Sequence, residues 1–459
     1  MEPAIPRTGL LHRRDMLRIG SISLAATLMP DSLQATPRAS ASADSVILLW
    51  MAGGVTHIES FDPKPDAPEE IRGTLGTVQT ALPGVRFGEV MPRMAALTRH
   101  FCLLRSYSHD SNDHFLSQAF ALSGRKVPMP QITTEPNIGA IVAHLHGPRG
   151  GFPGYVAVPG TTRPGPPLTN MFTGGWLGRQ YDPFPTGGRP RNEDFTARVA
   201  EPPEEEFNQQ ALRLLPGSDL NRLACRQTLR NALETSLRQN EDAIAQNYRA
   251  AFSMLTNPGV RRAFDLHQES ARVREEYGRT KIGQRCLLAR RLVEAGARFV
   301  MVDYGYDPEY GNLWDNHNAP VQNHPKICDI VKLPWHLAGV DRACAALLDD
   351  LHQRGLLERT LVVFLTEFGR TPRINREGGR DHWGAAGSLF LAGGGVRGGQ
   401  VIGATNRHAA HPTTAPHGPG DVAATIYHAL GIDSDTTLFD RQRRPNPVLP
   451  QGRVIPGTF

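Results

Sequence analysis

The chain has 459 residues, 40% of them apolar and 21% charged, with a formal net charge of +5. This balance describes a globular protein long enough for one elaborated α/β unit, and it excludes a disordered or fibrous chain. The small positive excess contains no Lys/Arg run of the kind that marks a nucleic-acid footprint, so nucleic acid is not the expected partner.

The N-terminus carries His12-Arg13-Arg14-Asp15-Met16-Leu17-Arg18, then an apolar stretch at 19–29, then Ala39-Ser40-Ala41. Charged, apolar and small-residue regions in that order predict an export signal over residues 1–43, with paired arginines of twin-arginine type. The apolar stretch is too short for a comfortable bilayer span, so no stable membrane anchor is expected in the mature form. The mature protein is then exported, to the periplasm or the cell surface. Five scattered cysteines without CxxC spacing do not make a disulfide framework and read as small buried apolar residues.

Residues 45–50 (SVILLW) form the first predicted strand, buried on both faces, and end in Met51-Ala52-Gly53-Gly54. His57, Glu59 and Asp62 follow within HIESFDPKP. A short helix over 90–97 and a strand over 101–104 lead into the polar run 106–114. That run opens a helix, either as an anion site or as an ordinary capped start. Residues 147–220 are dense in Gly and Pro and punctuated by aromatics, which predicts an ordered lid or insertion, with 150–200 lying over the carboxyl ends of the strands. From 204 the pattern turns helical, so an insertion over about 150–285 interrupts a domain spanning 44–459. A helix over 284–297 and a strand over 298–302 form an αβ unit. Beyond the strand lies DYGYDPEYGNLWDNHN.

An amphipathic helix over 340–354 feeds the central stretch 360–383, TLVVFLTEFGRTPRINREGGRDHW. Residues 361–365 read as a buried strand with Glu367 just past its carboxyl end, where open α/β sheets place ligands. A strand over 388–395 and a helix over 421–430 complete a mostly parallel, doubly covered sheet. The Gly393–Gly399 run lacks GxGxxG spacing and so makes a poor dinucleotide site.

The strand-end side chains His57, Asp62, Asp315, His317, Glu367, Asp381 and His382 mix carboxylate with imidazole, a ligand set suited to a divalent ion. Asp315 and His317 lie two apart and share one side of an extended segment. Arg370 and Arg380 would supply bidentate donors to a phosphate or sulfate.

The segments FDPKP, LLARRLVEAGARFVMV, WDNH, TEFGRTPRIN, GRDHW and AGGGVRGGQVIGAT resemble the bacterial family called domain of unknown function 1501, over most of residues 45–432. That family is placed near the alkaline phosphatase/sulfatase superfamily, so the resemblance implies that α/β fold and a metal-dependent phosphate or sulfate ester hydrolase. The substrate would be a small-molecule or polysaccharide ester, with room for a partner encoded elsewhere. The run 105–125 resembles the nucleophile loop and following helix, which makes Ser111 or His114 the candidate nucleophile. Asp315, His317 and His382 resemble one metal's ligand set, with Glu367 and Asp381 beside it. Two departures stand out. Phe368 replaces a ligand after Glu367, and Ala52-Gly53 stand where the superfamily carries an Asp. The resemblance therefore implies one metal site (zinc, manganese or calcium) in preference to two. A non-catalytic binding protein on the same fold is the alternative.

Overall fold

The computed structural model describes residues 41–160, 171–187, 225, 228, 252–307, 309–317 and 319–459. Among these, eight strands form one sheet: β1 (Ser45–Trp50), β2 (Phe101–Tyr107), β3 (Val156–Val158), β4 (Phe184–Pro185), β5 (Phe299–Asp303), β6 (Thr360–Leu365), β7 (Gly387–Ala392) and β8 (Gln400–Ile402). Their order across the sheet is β8-β2-β7-β6-β1-β5-β3-β4. All pairings are parallel except those of β7, which runs antiparallel to both β2 and β6. The fold is α/β, with a mixed, mostly parallel sheet.

Continuous apolar runs form the central strands because both faces of the sheet are covered. Along β1, Ile47 and Leu49 join one core while Val46, Leu48 and Trp50 join the other. Helices α1 (His114–Ser123), α2 (Ile138–His146), α3 (Lys281–Glu294), α4 (Leu337–Gln353) and α5 (Pro419–Ala429) supply the covering layers. The apolar faces of α3 and α4 close the first core, and those of α1, α2 and α5 close the second.

The polar run before α1 is a capped helix start. Asp113 accepts the Leu116 N–H at 2.9 Å, which leaves His114 as the first helical residue. The Pro/Gly-rich stretch differs from the expected lid. Its described parts extend the sheet at one edge as β3 and β4, and Met171, Phe172 and Leu177 enter the second core. Apolar side chains so spaced gain more from a core than from covering a polar sheet end. The helical reading of 204–251 lies outside the described residues except at 225 and 228, and the export-signal reading of 1–43 lies outside them except at 41–43. Among the described residues, no helix is long and apolar enough to cross a membrane. All five cysteines are free, and all but Cys225 are buried.

Phe364 of β6 sits at the centre of the first core, with its ring 5.3 Å from that of Phe390 and 5.5 Å from that of Phe61. Replacing Phe364 by Ala is expected to cost about 3–5 kcal/mol, the transfer loss plus a cavity. Urea unfolding should register this as a lower midpoint at unchanged slope.

Candidate metal centre

Past the end of β6 the chain turns through Thr366 and Glu367 into a two-residue ribbon, Gly369–Arg370, paired antiparallel with His382–Trp383. This pairing sets Arg370 opposite His382. The loop between them packs on the 315–317 segment: Arg380 N–H donates to Asn316 O (3.0 Å) and Asn375 Nδ2 to His317 O (2.8 Å). The loop after β1 passes alongside and needs glycine twice. Gly53 and Gly54 have φ of +126° and +87°, and a Cβ would lie 3.0 Å from Trp314 Cβ or 2.5 Å from the Phe368 ring.

These elements converge on Asp315. Its Oδ1 lies 2.9 Å from His382 Nε2, 2.9 Å from His317 Nδ1, 3.0 Å from Arg370 Nη2 and 3.3 Å from His114 Nε2. Burial alone would raise the Asp315 pKa. The hydrogen bonds of the three imidazoles and the charge of Arg370 outweigh it and hold the carboxyl well below the usual carboxylate range. Ligand atoms of His114, Asp315 and His382 all lie within 4.8 Å of one another. Exposure rises outward, from 11% for the Asp315 side chain through 17% and 25% for His114 and His382 to 38% for His317, so the cluster opens on one side.

The donor pattern suits a cation. His382 Nδ1 lies 2.9 Å from Asn112 O, a pure acceptor, so that nitrogen carries the proton. His114 Nδ1 lies 2.9 Å from Glu367 Oε1 and donates likewise. A cation at the centre would take the place of the Nε2 protons that otherwise hydrogen-bond the Asp315 oxygen, leaving both Nε2 lone pairs facing it. Arg370 and His317 already offer that oxygen two donors. Lone pairs turned toward a carboxylate are stabilised by a shared cation, and a carboxylate or carbonyl behind each imidazole is the usual outer shell of such ligands. The residues present fit a divalent ion.

The other sequence candidates fall elsewhere. Glu367 is fully buried and accepts from Gly53 N at 2.7 and 2.9 Å, from His114 Nδ1 and from Gln118 Nε2 (3.1 Å), so it stands behind His114. Arg380 does not point at an ester. It is fully buried, paired with Glu59, and its remaining donors go to the carbonyls of Thr371, Pro372 and Ile71. Arg370 is likewise spent on the carbonyls of Gly53, Gly54, Trp314 and Arg380 as well as on Asp315. His57 is buried away from the cluster, with Nε2 on Ala409 O at 2.8 Å. Asp62 is held by Lys64, Arg105 and Thr405. Asp381 is exposed and accepts from Asn375. Ser111 shares its hydroxyl with Ser117 Oγ at 2.9 Å and caps the turn through Asp113 N. Arg380 has every donor engaged, and Arg370 is fully buried against carbonyls and Asp315, which is why the anion-binding roles expected of the two do not arise.

Three supporting groups had no prior role: Gln118, His109 and the carbonyl of Asn112. His114 and Gln118 are four apart on α1, so both reach Glu367 from one helix face, a spacing visible in the sequence. His109 Nε2 lies 2.5 Å from Glu367 O. The Phe368 ring lies against both ligand imidazoles, with centroids 4.8 Å from His382 and 5.0 Å from His114.

A family model described as "Protein of unknown function (DUF1501)" matches residues 43–459. No curated protein matches this chain in sequence. Similar solved structures include a sulfatase from Pseudoalteromonas sp. (TM-score 0.35, 12% identity, 95% of this chain and 74% of that one). They also include a phosphonate monoester hydrolase of Agrobacterium radiobacter (0.36, 14%, 90% and 77%) and a TAB5 alkaline phosphatase mutant with Mg bound (0.35, 13%, 86% and 99%). At TM-scores this low, the chemistry of the centre rests on its own residues.

Two outcomes follow from this geometry. Glu59→Gln leaves Arg380 buried without its counter-charge and should cost about 3–5 kcal/mol in chemical unfolding. The second concerns His336, fully buried, whose Nε2 lies 2.9 Å from Leu313 O and 3.0 Å from Asn316 Oδ1. Burial depresses its pKa from 6.5 to about 3. The unfolded chain takes up this proton near pH 6.5 and the folded chain only near 3. The stability from neutral His336 is therefore complete above 6.5 and lost progressively as pH falls toward 3. Thermal melts should show His336→Gln less stable at pH 7.5 but with a shallower decline between pH 6.5 and 4.

Proposed function

The chain belongs to the family described as protein of unknown function (DUF1501), and from that premise we propose that it is an exported, metal-dependent hydrolase of a phosphate or sulfate ester, carried on a small molecule or a polysaccharide. The observation that carries this reading is the pair of imidazoles, His114 and His382, whose Nε2 atoms meet at Asp315 while their Nδ1 atoms are tied down behind. His114, Asp315 and His382 would hold one divalent ion of the zinc, manganese or calcium class. Such an ion supplies Lewis-acid polarisation of an ester oxygen and lowers the pKa of a water.

The chain's own residues do the rest. Glu367 and the Asn112 carbonyl fix ring orientation and tautomer in the two histidines. Arg370 fixes the Asp315 carboxylate against the Gly53–Gly54 loop. Phe368 lines the centre with an apolar ring, keeping solvent off that side and taking no ligand role. His317, the most exposed of the four, stands at the open side where a substrate would enter. Ser111 is engaged with Ser117, and His114 as a ligand is not free to attack, so water is the nucleophile of this proposal.

A binding protein without catalysis is the second reading, favoured by Phe368 standing where a further ligand would be needed for a two-metal site. Metal analysis of the purified protein, followed by a screen of aryl phosphates and aryl sulfates, separates the two. The hydrolase reading expects about one equivalent of metal, lost in His382→Ala, and ester turnover abolished with it. Glu367→Gln, acting behind His114, should weaken metal affinity about 10–100-fold. Metal bound at one equivalent with no turnover of any ester would favour the binding protein. Unchanged metal content in His382→Ala would overturn the site itself.

A further inference from the structure

The FDPKP motif takes no part in the metal centre, yet it shapes a concave feature of its own. Segment 62–68 forms one wall of a cleft of about 670 Å³, lined by Asp62, Lys64, Arg86, Arg105, Arg407 and His408 with the prolines of the same segment. Four permanent cations face two carboxylates, Asp62 and Asp66.

Three of the four cations are held in place, and the charges are not matched. Lys64 Nζ (2.9 Å) and Arg105 Nε (3.4 Å) both use one oxygen of the same buried carboxylate, Asp62. Arg105 is further fixed by the carbonyls of Phe61 and Arg86. Among the described residues the Arg86 side chain bonds Thr77 alone, at 2.6 Å to its hydroxyl and 3.4 Å to its carbonyl, and meets no carboxylate. Arg407 is exposed and makes no ion pair or hydrogen bond among the described residues, although its loop is tightly built. Asn406 Oδ1 accepts from His408 N (3.1 Å) and Ala410 N (2.9 Å), and Thr405 Oγ1 bonds Asp62. A solvated basic face spreads its side chains outward. Here they converge on a concavity of ligand size, around a loop that leaves Arg407 in reserve.

We propose that this cleft binds a dianionic tetrahedral oxyanion, phosphate or sulfate, either free or as a group on a larger molecule. The two uncompensated positive charges match a dianion, and guanidinium forks match its paired oxygens. Burial weakens the hold of Arg105 on its proton, and an added anion offsets that cost. The site shares no residue with the metal centre. One connection between the two runs through the 405–412 loop, where the Ala410 carbonyl accepts Trp383 Nε1 at 2.7 Å.

The test is calorimetric titration of inorganic phosphate and inorganic sulfate into metal-stripped full-length protein at low salt. Binding should be retained in His382→Ala, which separates this site from the metal centre. Arg407→Gln touches nothing else in the fold and should weaken binding at least about tenfold, with Arg86→Gln acting in the same direction. Affinity should fall as sodium chloride is raised. A parallel titration with glucose 6-phosphate identifies the source. Tighter binding than inorganic phosphate sustains the site as one for a group on a larger molecule, and weaker binding sustains it as one for the free ion. Wild-type affinity in both arginine variants, with unchanged melting temperatures, would overturn the proposal. So would phosphate and sulfate binding no better than chloride.

Discussion

One buried carboxylate, that of Glu367, joins three parts of the chain that are far apart in sequence. Its oxygens accept the Gly53 N–H after the first strand, Nδ1 of His114 at the start of α1 and the Gln118 amide one turn later. A charge removed from water at a strand end is tolerable only when its acceptor sites are filled this fully. Filling them fixes the loop after β1, the rotation of α1 and the ring of His114 together. Glu367 is thus the fixed point from which Asp315 and His382 are approached.

The same interaction explains why glycine stands at residue 53. A carboxylate at the end of β1 would set a second negative charge against Glu367. Backbone N–H in its place satisfies Glu367 directly. Phe368 lies on the rings of both His114 and His382 and fills the space beside them with an apolar ring. The cluster around Asp315 is built tightly on its inner side and open on its outer side.

Much of this architecture was legible in the residues. Runs such as SVILLW and TLVVFL announce doubly buried strands because no polar side chain interrupts them, and they appear at β1 and β6. The direction of β7 was not legible, since an apolar run packs equally well either way and only its pairing with β2 and β6 decides. In the site, Asp315 and His317 stood out by their spacing and His382 by the family resemblance; the fold sets Asp315 with His382 and His114, and His317 bonds Asp315 from the exposed side. His114 was noticed for its position before a helix, but its place against Asp315 depends on Glu367, 253 residues away. Arg380 misled for a related reason. An arginine in a Gly-rich loop reads as an anion binder until its partner is known, and Glu59 lies 321 residues distant. Long-range partners of charges are what local pattern leaves out.

The Glu59–Arg380 pair also bears on how this loop can vary. Both side chains are almost wholly out of water, and each is the other's only counter-charge among the described residues. Losing either one first leaves a bare buried charge, at a cost of about 3–5 kcal/mol against a typical total stability of about 5–15 kcal/mol. Most single-step routes away from the pair therefore pass through a protein that folds poorly. Across lineages the two positions should persist or disappear as a unit. The HIES and GGRDHW segments, far apart in the chain, would then be inherited as one mutational module.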